Sequence, residues 1–496
     1  MIIDIINASI KSESFDDNYQ RCINMYPVTV GADGRSKTAL LPSPGQKEII
    51  DLNGLESRGH IVVGDFMYIV VDNNVYALTI NLTAESATST LLGTITTITG
   101  TVIFSTNPTQ IILVDGSQDG WIITLSTNVL TQITDPNFYG GTHVSFCDGY
   151  FLVNQPQTNI VRTSNLNDGT TWNGLNFAEA ENSPTLLIGM GKNRGDVWMF
   201  KPDSVEIWYD SAASPGIPFA PIMGSTMTLG CLAPYSIAQV NDFLIWLDSR
   251  GYIVESQVSI YVRDQTSGFN ASPLSDPALN AEIATYGDVS DAIAMTYNDR
   301  GHIMYQITFP KVSKTWAFDT ITKLWTERSV YSDFTGGQVQ HTAQYCSMYK
   351  NTNIVSGIFS GKVYILSKDY YDDAGIPTYR IHNTGPISSE NDLITISSLQ
   401  LRIGTNTIPV SGLGSNPQIR MRYSTNGGHT WSSTLFRDIG NTGEYGKPIT
   451  WNRLGTAREW IFEFTIVEPI DFSIIEGSVT TDSDLGQSQS PQQGQQ

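Results

Sequence analysis

Apolar residues along this chain recur in short runs joined by polar turns, and the same two-run unit appears repeatedly. In the clearest copy, the run 66–71 turns at Asp72-Asn73-Asn74 and returns as 75–78. Runs of this length with such turns are typical of β-hairpins. Seven copies can be recognised, with landmarks at Phe66, Ile111, Tyr150, Val197, Phe243, Ile303 and Ile354.

The spacing of these copies predicts how the hairpins assemble. Successive landmarks are separated by 39 to 60 residues, which is close to the length of one β-propeller blade, roughly 40–50 residues. One blade cannot bury its apolar faces alone, so the blades must close into a ring around a shared axis. We therefore predict an all-β protein with a propeller of six or seven blades over residues 59–375.

The longest interval, between Phe243 and Ile303, leaves room for an inserted helix. Asp276 is a residue that caps helix N-termini, and Pro277 suits the first helical position because its missing N–H is not needed there. The apolar residues that follow support one short helix.

The pattern changes after the predicted propeller. Residues 394–403, 418–423 and 460–466 alternate apolar with polar or basic side chains, as half-buried strands do. This predicts a C-terminal β-sandwich over residues 386–477. Residues 478–496 are rich in Gln and Ser, and we predict a mobile tail because such a segment buries little apolar surface.

The beginning of the chain shows no clear blade. Residues 1–58 contain several prolines, which fix φ and remove backbone donors. We predict an extended N-terminal strap over residues 1–58, and we expect residues 1–45 to contact a partner or an adjacent subunit more than their own propeller. Its apolar anchors would be Met25, Tyr26, Leu40 and Leu41.

Charge narrows the classes of function. The chain has 28 basic and 48 acidic residues, a formal net charge of −20. A surface of this kind repels phosphates, which disfavours ordinary nucleic-acid binding by counterion release.

The cysteine content and the lack of targeting segments predict a protein that folds in a cytoplasm. The four cysteines lie far apart, so we expect neither a disulfide framework nor a zinc site. No apolar run reaches membrane-spanning length, and the N-terminus lacks the basic region of a secretory signal.

Two turn motifs resemble the Asp-box of glycosidase propellers. One contains Asn426, Gly428 and Trp431, and a looser copy contains Asp168, Gly169 and Trp172. In such turns the Asx side chain bonds to nearby backbone while the Trp packs beneath it. We interpret both as structural turns, because the arginines needed to hold a carboxylate substrate are few and dispersed.

Other catalytic signatures are missing from the sequence. The six histidines never fall at metal-ligand spacing, and neither a phosphate-binding glycine loop nor a nucleophile elbow occurs. We predict no enzyme activity, no cofactor and no metal. Glycoside hydrolysis by two carboxylates stays open as an alternative, because the chain has many acids.

A series of aromatic and proline-rich segments occurs in order along nearly the whole chain. The main ones are 24–27, 177–184, 204–208, 216–219, 230–234, 315–319, 324–328, 423–431 and 451–455. Taken in order, they resemble the tail hub or nozzle proteins of short-tailed bacteriophages, also called packaged-DNA stabilisation proteins.

The resemblance implies a non-enzymatic virion protein that forms a homo-hexameric ring below the portal and its adaptor. Its partners would be the portal and adaptor proteins and a tailspike, tail fibre or tail needle protein. Packaged double-stranded DNA would pass through the channel without tight binding. Two alternatives remain: a propeller glycosidase or depolymerase, suggested by the Asp-box turns, and a carbohydrate-binding receptor module, suggested by 10 Trp and 22 Tyr.

Overall fold

The computed structural model describes residues 2–3, 9–11, 19–29, 38–213, 215–257, 270–389, 392–405, 408–444 and 446–481. Seven strands lie at the beginning of the chain. They are β1 (Ile2–Ile3), β2 (Ile10–Lys11), β3 (Tyr19–Gln20), β4 (Cys22–Ile23), β5 (Met25–Thr29), β6 (Thr38–Pro42) and β7 (Gly45–Asp51).

Five antiparallel four-stranded sheets follow in chain order. Blade one has β8 (Ser57–Val63), β9 (Phe66–Val71), β10 (Asn74–Asn81) and β11 (Ser86–Thr94); blade two has β12 (Ile103–Thr106), β13 (Gln110–Val114), β14 (Gly120–Thr124) and β15 (Val129–Gln132). Blade three has β16 (Val144–Cys147), β17 (Tyr150–Asn154), β18 (Ile160–Asn165) and β19 (Asp168–Glu179). Blade four has β20 (Gly189–Asn193), β21 (Asp196–Phe200), β22 (Val205–Asp210) and β23 (Phe219–Pro221); blade five has β24 (Ala238–Val240), β25 (Phe243–Leu247), β26 (Ile253–Gln257) and β27 (Asn270–Pro273).

The sixth and seventh blades include pairings with distant segments. Blade six has β28 (Ile293–Asp299), β29 (His302–Phe309), β30 (Lys314–Asp319) and β31 (Leu324–Glu327). A hairpin of β32 (Ser329–Ser332) and β33 (Gly337–Gln340) follows it. Blade seven has β34 (Tyr345–Tyr349), β35 (Thr352–Ser356) and β36 (Lys362–Ser367), and its fourth strand is β7 from the N-terminal region.

Helices are few among the described residues. The α-helix α1 (Pro277–Ala284) precedes blade six, and short 3₁₀ turns span Pro234–Ser236 and Pro310–Val312. The Asp276 side chain accepts a hydrogen bond from the Leu279 N–H at 2.7 Å, which confirms the predicted cap. No helix in the described part of the chain is long and apolar enough to cross a membrane.

The described part of the propeller therefore has seven blades arranged in a closed ring. The innermost strands of neighbouring blades contact each other in order, and β34 of blade seven contacts β8 of blade one. Seven apolar clusters each lie between two adjacent blades; one packs Tyr68 and Val70 of blade one against Ile111 and Leu113 of blade two. Burial between blades thus holds the ring together.

The tight turns inside the blades explain why the hairpins form where they do. Asp148 and Gly149 link two strands of blade three and have φ values of 46° and 90°. Two successive positive φ values match the twist of the flanking strands, and an Asp-Gly pair adopts them at low cost.

A β-sandwich completes the fold. Two short strands, β37 (Asp372–Asp373) and β38 (Ile376–Pro377), first extend the sheet of blade seven. The sandwich then contains β39 (Arg380–Asn383), β40 (Ile387–Ser388), β41 (Ile394–Thr405), β42 (Gln418–Ser424), β43 (Leu435–Asp438), β44 (Ile449–Ala457), β45 (Glu459–Ile466) and β46 (Phe472–Thr481). One sheet has the order β44-β41-β46-β6-β5, and the other contains β4-β39-β45-β42-β43. Trp451, Phe464 and Leu399 lie in the core between the two sheets.

The predicted N-terminal strap is wrong as a detached segment. Strands β5 and β6 are part of the sandwich, β4 bridges β39 of the sandwich and β31 of blade six, and β7 completes blade seven. Met25, Tyr26 and Leu40 are at most 1% exposed and Leu41 is half-buried. These anchors pack in the chain's own core, where burial stabilises them without a partner.

The predicted tail falls mostly outside the described residues. Residues 482–496 are not described, whereas residues 478–481 belong to β46 and pair with β41.

The burial of the N-terminal anchors predicts a clear difference in stability between two leucine substitutions. Leu40→Ala should lower the free energy of unfolding by about 2–5 kcal/mol, because Leu40 is fully buried in the sandwich core. Leu55→Ala is the matched control, since Leu55 is 83% exposed and its loss should change stability by no more than about 0.5 kcal/mol. Denaturant unfolding monitored by tryptophan fluorescence measures both. Equal, small effects would show that the strap lies outside the folded core.

Candidate functional site

The N-terminal segment meets blade six, blade seven and the sandwich at one buried polar region, which we call the junction. We define it by Asn24, Gln46, Asp299, Arg300, Arg328, His341, Asp373 and Arg380. All of these residues except Arg300 are less than 9% exposed. Buried polar groups of this kind are stable only when they are paired.

Asn24 connects three segments through one side chain. It has a φ of 55°, its amide donates to the Ser329 carbonyl at 2.8 Å and to the Tyr379 carbonyl at 2.9 Å, and it accepts from the Ser329 N–H at 3.0 Å. Asn tolerates this left-handed conformation better than most residues. The side chain therefore ties the N-terminal segment to the chain on both sides of blade seven.

Arginines satisfy the proline carbonyls of the N-terminal segment. Arg300 donates to the Pro42 carbonyl at 2.9 Å, and Arg328 donates to the Pro44 carbonyl at 3.0 Å. Proline has a carbonyl but no N–H, so such a segment has acceptors in excess. Guanidinium groups supply the missing donors and fix the path of the segment between the two domains.

Carboxylates balance part of this buried positive charge. Asp373 lies near Arg328 and Arg380, accepts from Thr378 at 3.0 Å and accepts from Gln46 at 3.2 Å. Burial raises the pKa of Asp373, and the charge of Arg328 opposes that rise. Burial also lowers the pKa of Arg380 to about 10. No local sequence pattern marks this network, because partners such as Gln46 and Asp373 are 327 residues apart.

A second polar cluster surrounds Arg58 on β8, the innermost strand of blade one. The Arg58 side chain is fully buried and donates to the carbonyls of Gly100 at 2.6 Å, Thr97 at 2.8 Å and Thr99 at 2.8 Å. Its guanidinium is also 3.9 Å from the buried Asp115 carboxylate. Arg58 thus holds the loop between blades one and two.

Aromatic residues from other blades join this cluster. Tyr345 opens blade seven, and its hydroxyl is 3.2 Å from the Thr101 hydroxyl. Burial raises the pKa of Tyr235, which precedes blade five; the Asp115 charge adds to the rise and the Arg58 charge opposes it. Blades two and five are not neighbours, so their groups can interact only near the axis. Side chains that precede or begin blades one, five and seven therefore lie close to the loop between blades one and two.

The two Asp-box-like turns differ in how deeply their tryptophan is buried. Asp168 accepts from the Thr170 N–H at 2.9 Å, and the Trp172 indole donates to the Gly169 carbonyl at 2.9 Å. Trp172 is 3% exposed and packs against Phe138 with ring centroids 5.0 Å apart. The motif that looked looser in the sequence is thus deeply anchored in blade three.

The second turn is in the sandwich and is more open. Asn426 accepts from the Thr430 N–H at 2.9 Å, and the Gly428 N–H donates to the Ser424 hydroxyl at 3.0 Å. Trp431 is half-buried and lies under the Arg422 guanidinium, 4.8 Å from the ring centroid. The structural role of both turns stays a prediction, tested below.

The described residues offer little for catalysis or metal binding. No group of three or more His, Cys, Asp or Glu side chains in the described ranges could hold a metal ion. Arg328 and Arg380 approach each other, as a carboxylate clamp would require, but both are at most 2% exposed. They donate to the backbone carbonyls of Pro44 and Tyr371 instead.

Comparisons with known proteins agree with this two-domain organisation. A family model described as the bacteriophage P22 Gp10 β-propeller matches residues 1–371. A second model, described as the bacteriophage P22 Gp10 β-sandwich, matches residues 380–482. No curated protein sequence matches the chain.

Two solved structures also match part of the chain. A crystal structure of the WD40 β-propeller domain of Doa1 is 12% identical, with a TM-score of 0.41; the match covers 65% of this chain and 97% of that domain. A crystal structure of the mitotic checkpoint complex contains a chain 12% identical with a TM-score of 0.40, covering 68% of this chain and 94% of the other.

The two tryptophan turns should differ in their contribution to stability. Trp172→Ala should lower the free energy of unfolding by about 3–5 kcal/mol, because it leaves a cavity between blades two and three. Trp431→Ala should cost less, about 1–2 kcal/mol, since it removes a half-buried ring and one cation–π contact. Denaturant unfolding of both variants tests the order; a larger loss for Trp431→Ala would contradict the assignment.

A buried histidine predicts that stability falls in mild acid. Burial lowers the pKa of His143 to about 4, whereas an unfolded histidine titrates near its usual value of about 6.5. The stabilising contribution of the neutral ring is complete above that unfolded value and is lost as the pH falls towards 4. Replacing His143 with Gln should therefore flatten the decline of unfolding free energy between pH 6.5 and 4. An unchanged slope in the variant would show that other groups account for it.

Proposed function

This chain belongs to the bacteriophage P22 Gp10 family of stabilisation proteins, and we propose that it forms a ring in the tail of a short-tailed phage. Members of this family are structural components of the virion, so the chain is a virion protein and not an enzyme. We propose six copies below the portal and its adaptor. The ring would retain packaged DNA and provide the channel for genome ejection.

The observation that carries the proposal is the extent of the family match. The propeller and sandwich models together span residues 1–371 and 380–482 of a chain of 496 residues. Both domains are matched in the order in which they occur, so the whole architecture is that of the family. The further details of the ring, its copy number and its partners are our proposal.

The junction supports a role that requires mechanical strength. Arg21 forms a two-pronged ion pair with Glu327 at 3.0 and 2.8 Å, and β4 lies between the propeller and the sandwich. Shared strands make the two domains one hydrogen-bonded body, since a hinge would need to break β-pairing. Such a body can hold a genome in place without deforming.

The cluster around Arg58 supports a DNA channel outside the propeller. Arg58 and Asp115 are fully buried 3.9 Å apart, and Tyr345 of blade seven lies 3.2 Å from Thr101, so side chains from different blades meet on the inner side of the ring. A DNA duplex has a major groove about 12 Å wide, and the whole duplex is wider still. We therefore propose that the genome passes through a channel between subunits.

Electrostatics favours retention by a steric barrier. Each copy has a formal charge of −20, and six copies would carry six times that charge. Charges of this sign repel DNA phosphates, so the wall of the channel offers no attractive binding. Retention would then depend on closing the channel, either by the ring itself or by a tailspike, fibre or needle protein below it.

Phage particles lacking this protein test the proposed function directly. We expect such particles to package DNA and then release it, because the channel below the adaptor stays open. Nuclease sensitivity of the DNA and the density of the particles measure the loss, and supplying the wild-type chain in trans should restore retention. Particles that keep their DNA without the protein would refute the proposal.

The binding of purified protein to duplex DNA tests the repulsive channel in solution. It should bind duplex DNA weakly at physiological salt, and lowering the salt should not reveal a tight complex. Tight binding that weakens steeply with added salt would indicate a basic groove and contradict the repulsive channel.

A further inference from the structure

The proposed ring raises a physical problem that the structure helps to solve. Identical acidic subunits repel one another, and the charge is unevenly distributed along the chain. Residues 1–379 contain 20 basic and 37 acidic side chains, whereas residues 380–481 contain 8 and 9. Two propellers meeting face to face would therefore be strongly opposed by charge, but a propeller meeting a sandwich would not.

One surface of the propeller carries almost no charge. Residues 86–114 and 120–134 contain no Asp, Glu, Lys or Arg. They include β11 and β15, the outermost strands of blades one and two, which contact each other. Leu91 on β11 is 55% exposed and Val129 on β15 is 50% exposed. We call β11 and β15 together the bare edge.

The outer strands of the other blades are protected in ways that the bare edge is not. Strand β19 carries Asp168 and Glu179, and the short strands β23 and β27 end at Pro221 and Pro273. The outer strands of blades six and seven are covered by β4 and β37. Charges, prolines, short lengths and coverage are the usual devices that stop a sheet edge from pairing with another chain.

Strand β11 carries no charge, no proline and no covering strand, although a β-bulge at Leu92, opposite Val75 and Tyr76, interrupts its pairing with β10. It is nine residues long, and among the described residues it pairs on one side only, with β10. Its other side leaves backbone donors and acceptors available to a further strand. Exposed Leu91 and Val129 add apolar contact area next to that edge.

Acidic groups at the margins of the bare edge are already engaged. Glu85 accepts from the Tyr370 hydroxyl at 2.9 Å and pairs with Lys47 at 4.0 Å. Asp119 accepts from Thr96 at 2.7 Å and from Gln132 at 3.0 Å. These contacts fix the two carboxylates beside the uncharged surface.

We propose that the bare edge docks the sandwich of a second copy of this chain, an inference that rests on the proposed ring. The sandwich is nearly neutral, and it exposes apolar side chains at Val410 (87% exposed) and Leu413 (85% exposed) in the loop after β41. It is joined to the propeller at blades six and seven, whereas the bare edge belongs to blades one and two. Two different surfaces that meet head to tail are what a closed ring of identical subunits requires.

Charge insertion on each surface tests this contact. Leu91→Lys places a charge on the bare edge, and Leu413→Lys places one on the sandwich loop. Each should weaken self-association of the full-length protein at least tenfold, as measured by analytical ultracentrifugation and native mass spectrometry. Leu175→Lys is the matched control, because Leu175 is 72% exposed on the outer strand of blade three and should leave assembly unchanged.

Mixing the two variants identifies the pairing of the surfaces. Each variant keeps one intact surface, so an equimolar mixture should form heterodimers but no rings. Absence of heterodimers would overturn the assignment of the sandwich as the occupant. Unchanged rings of Leu91→Lys would overturn the bare edge as the docking surface. Thermal unfolding of both variants, expected to match the wild type, confirms that they are folded.

The self-association experiment and the DNA-retention experiment can fail independently of each other. A wild-type chain that stays monomeric at every concentration overturns the inference of a self-docking surface. The proposed function is judged independently by whether the chain is required for DNA retention in particles. Rings that form through other surfaces would leave the function standing and remove only the inference.

Discussion

The pairing of β7 with β36 is the interaction on which the rest of the structure depends. Gly45 pairs with Ser367 and Asp51 with Lys362, so a strand from the beginning of the chain completes the last blade. Without it, blade seven would be a three-stranded sheet with an open edge, and only side-chain packing would close the ring. The same segment supplies β4, β5 and β6 to the sandwich side, so ring closure and sandwich formation share residues 22–29 and 38–51.

This arrangement couples the two domains energetically. Met25 and Leu40 lie in the same apolar core as Trp451, and Tyr26 lies between blades six and seven, where it donates to Asp299 at 2.7 Å. Neither domain is complete until both ends of the chain are in place. Contacts across such sequence distances form late and slowly, because a long loop must close before they contribute. In the folded protein these shared strands join the propeller and the sandwich through hydrogen bonds and a common apolar core.

The sequence revealed local features well and distant pairings poorly. The hairpin at Phe66 and the helix cap at Asp276 were predictable, because their signals lie within a few residues. The strand partner of Lys362 lies more than three hundred residues earlier, and no local pattern marks that pairing. Prolines at 42 and 44 suggested an extended strap that would contact a partner, whereas Arg300 of blade six and the buried Arg328 satisfy their carbonyls. Trp172 and Trp431 were likewise distinguishable only once the packing of neighbouring blades was known.

The distribution of charge limits which surfaces of the protein can form contacts between subunits. In the ring that we propose, acidic subunits would not hold DNA by attraction, so they would have to resist displacement through their contacts with each other and with the adaptor. Those contacts would form in spite of the same negative charge, which favours interfaces where charge is absent. The bare edge and the nearly neutral sandwich meet that condition in two different parts of the chain. Repulsion from the genome and attraction between subunits could therefore coexist in one acidic protein, because the charge is segregated along the chain.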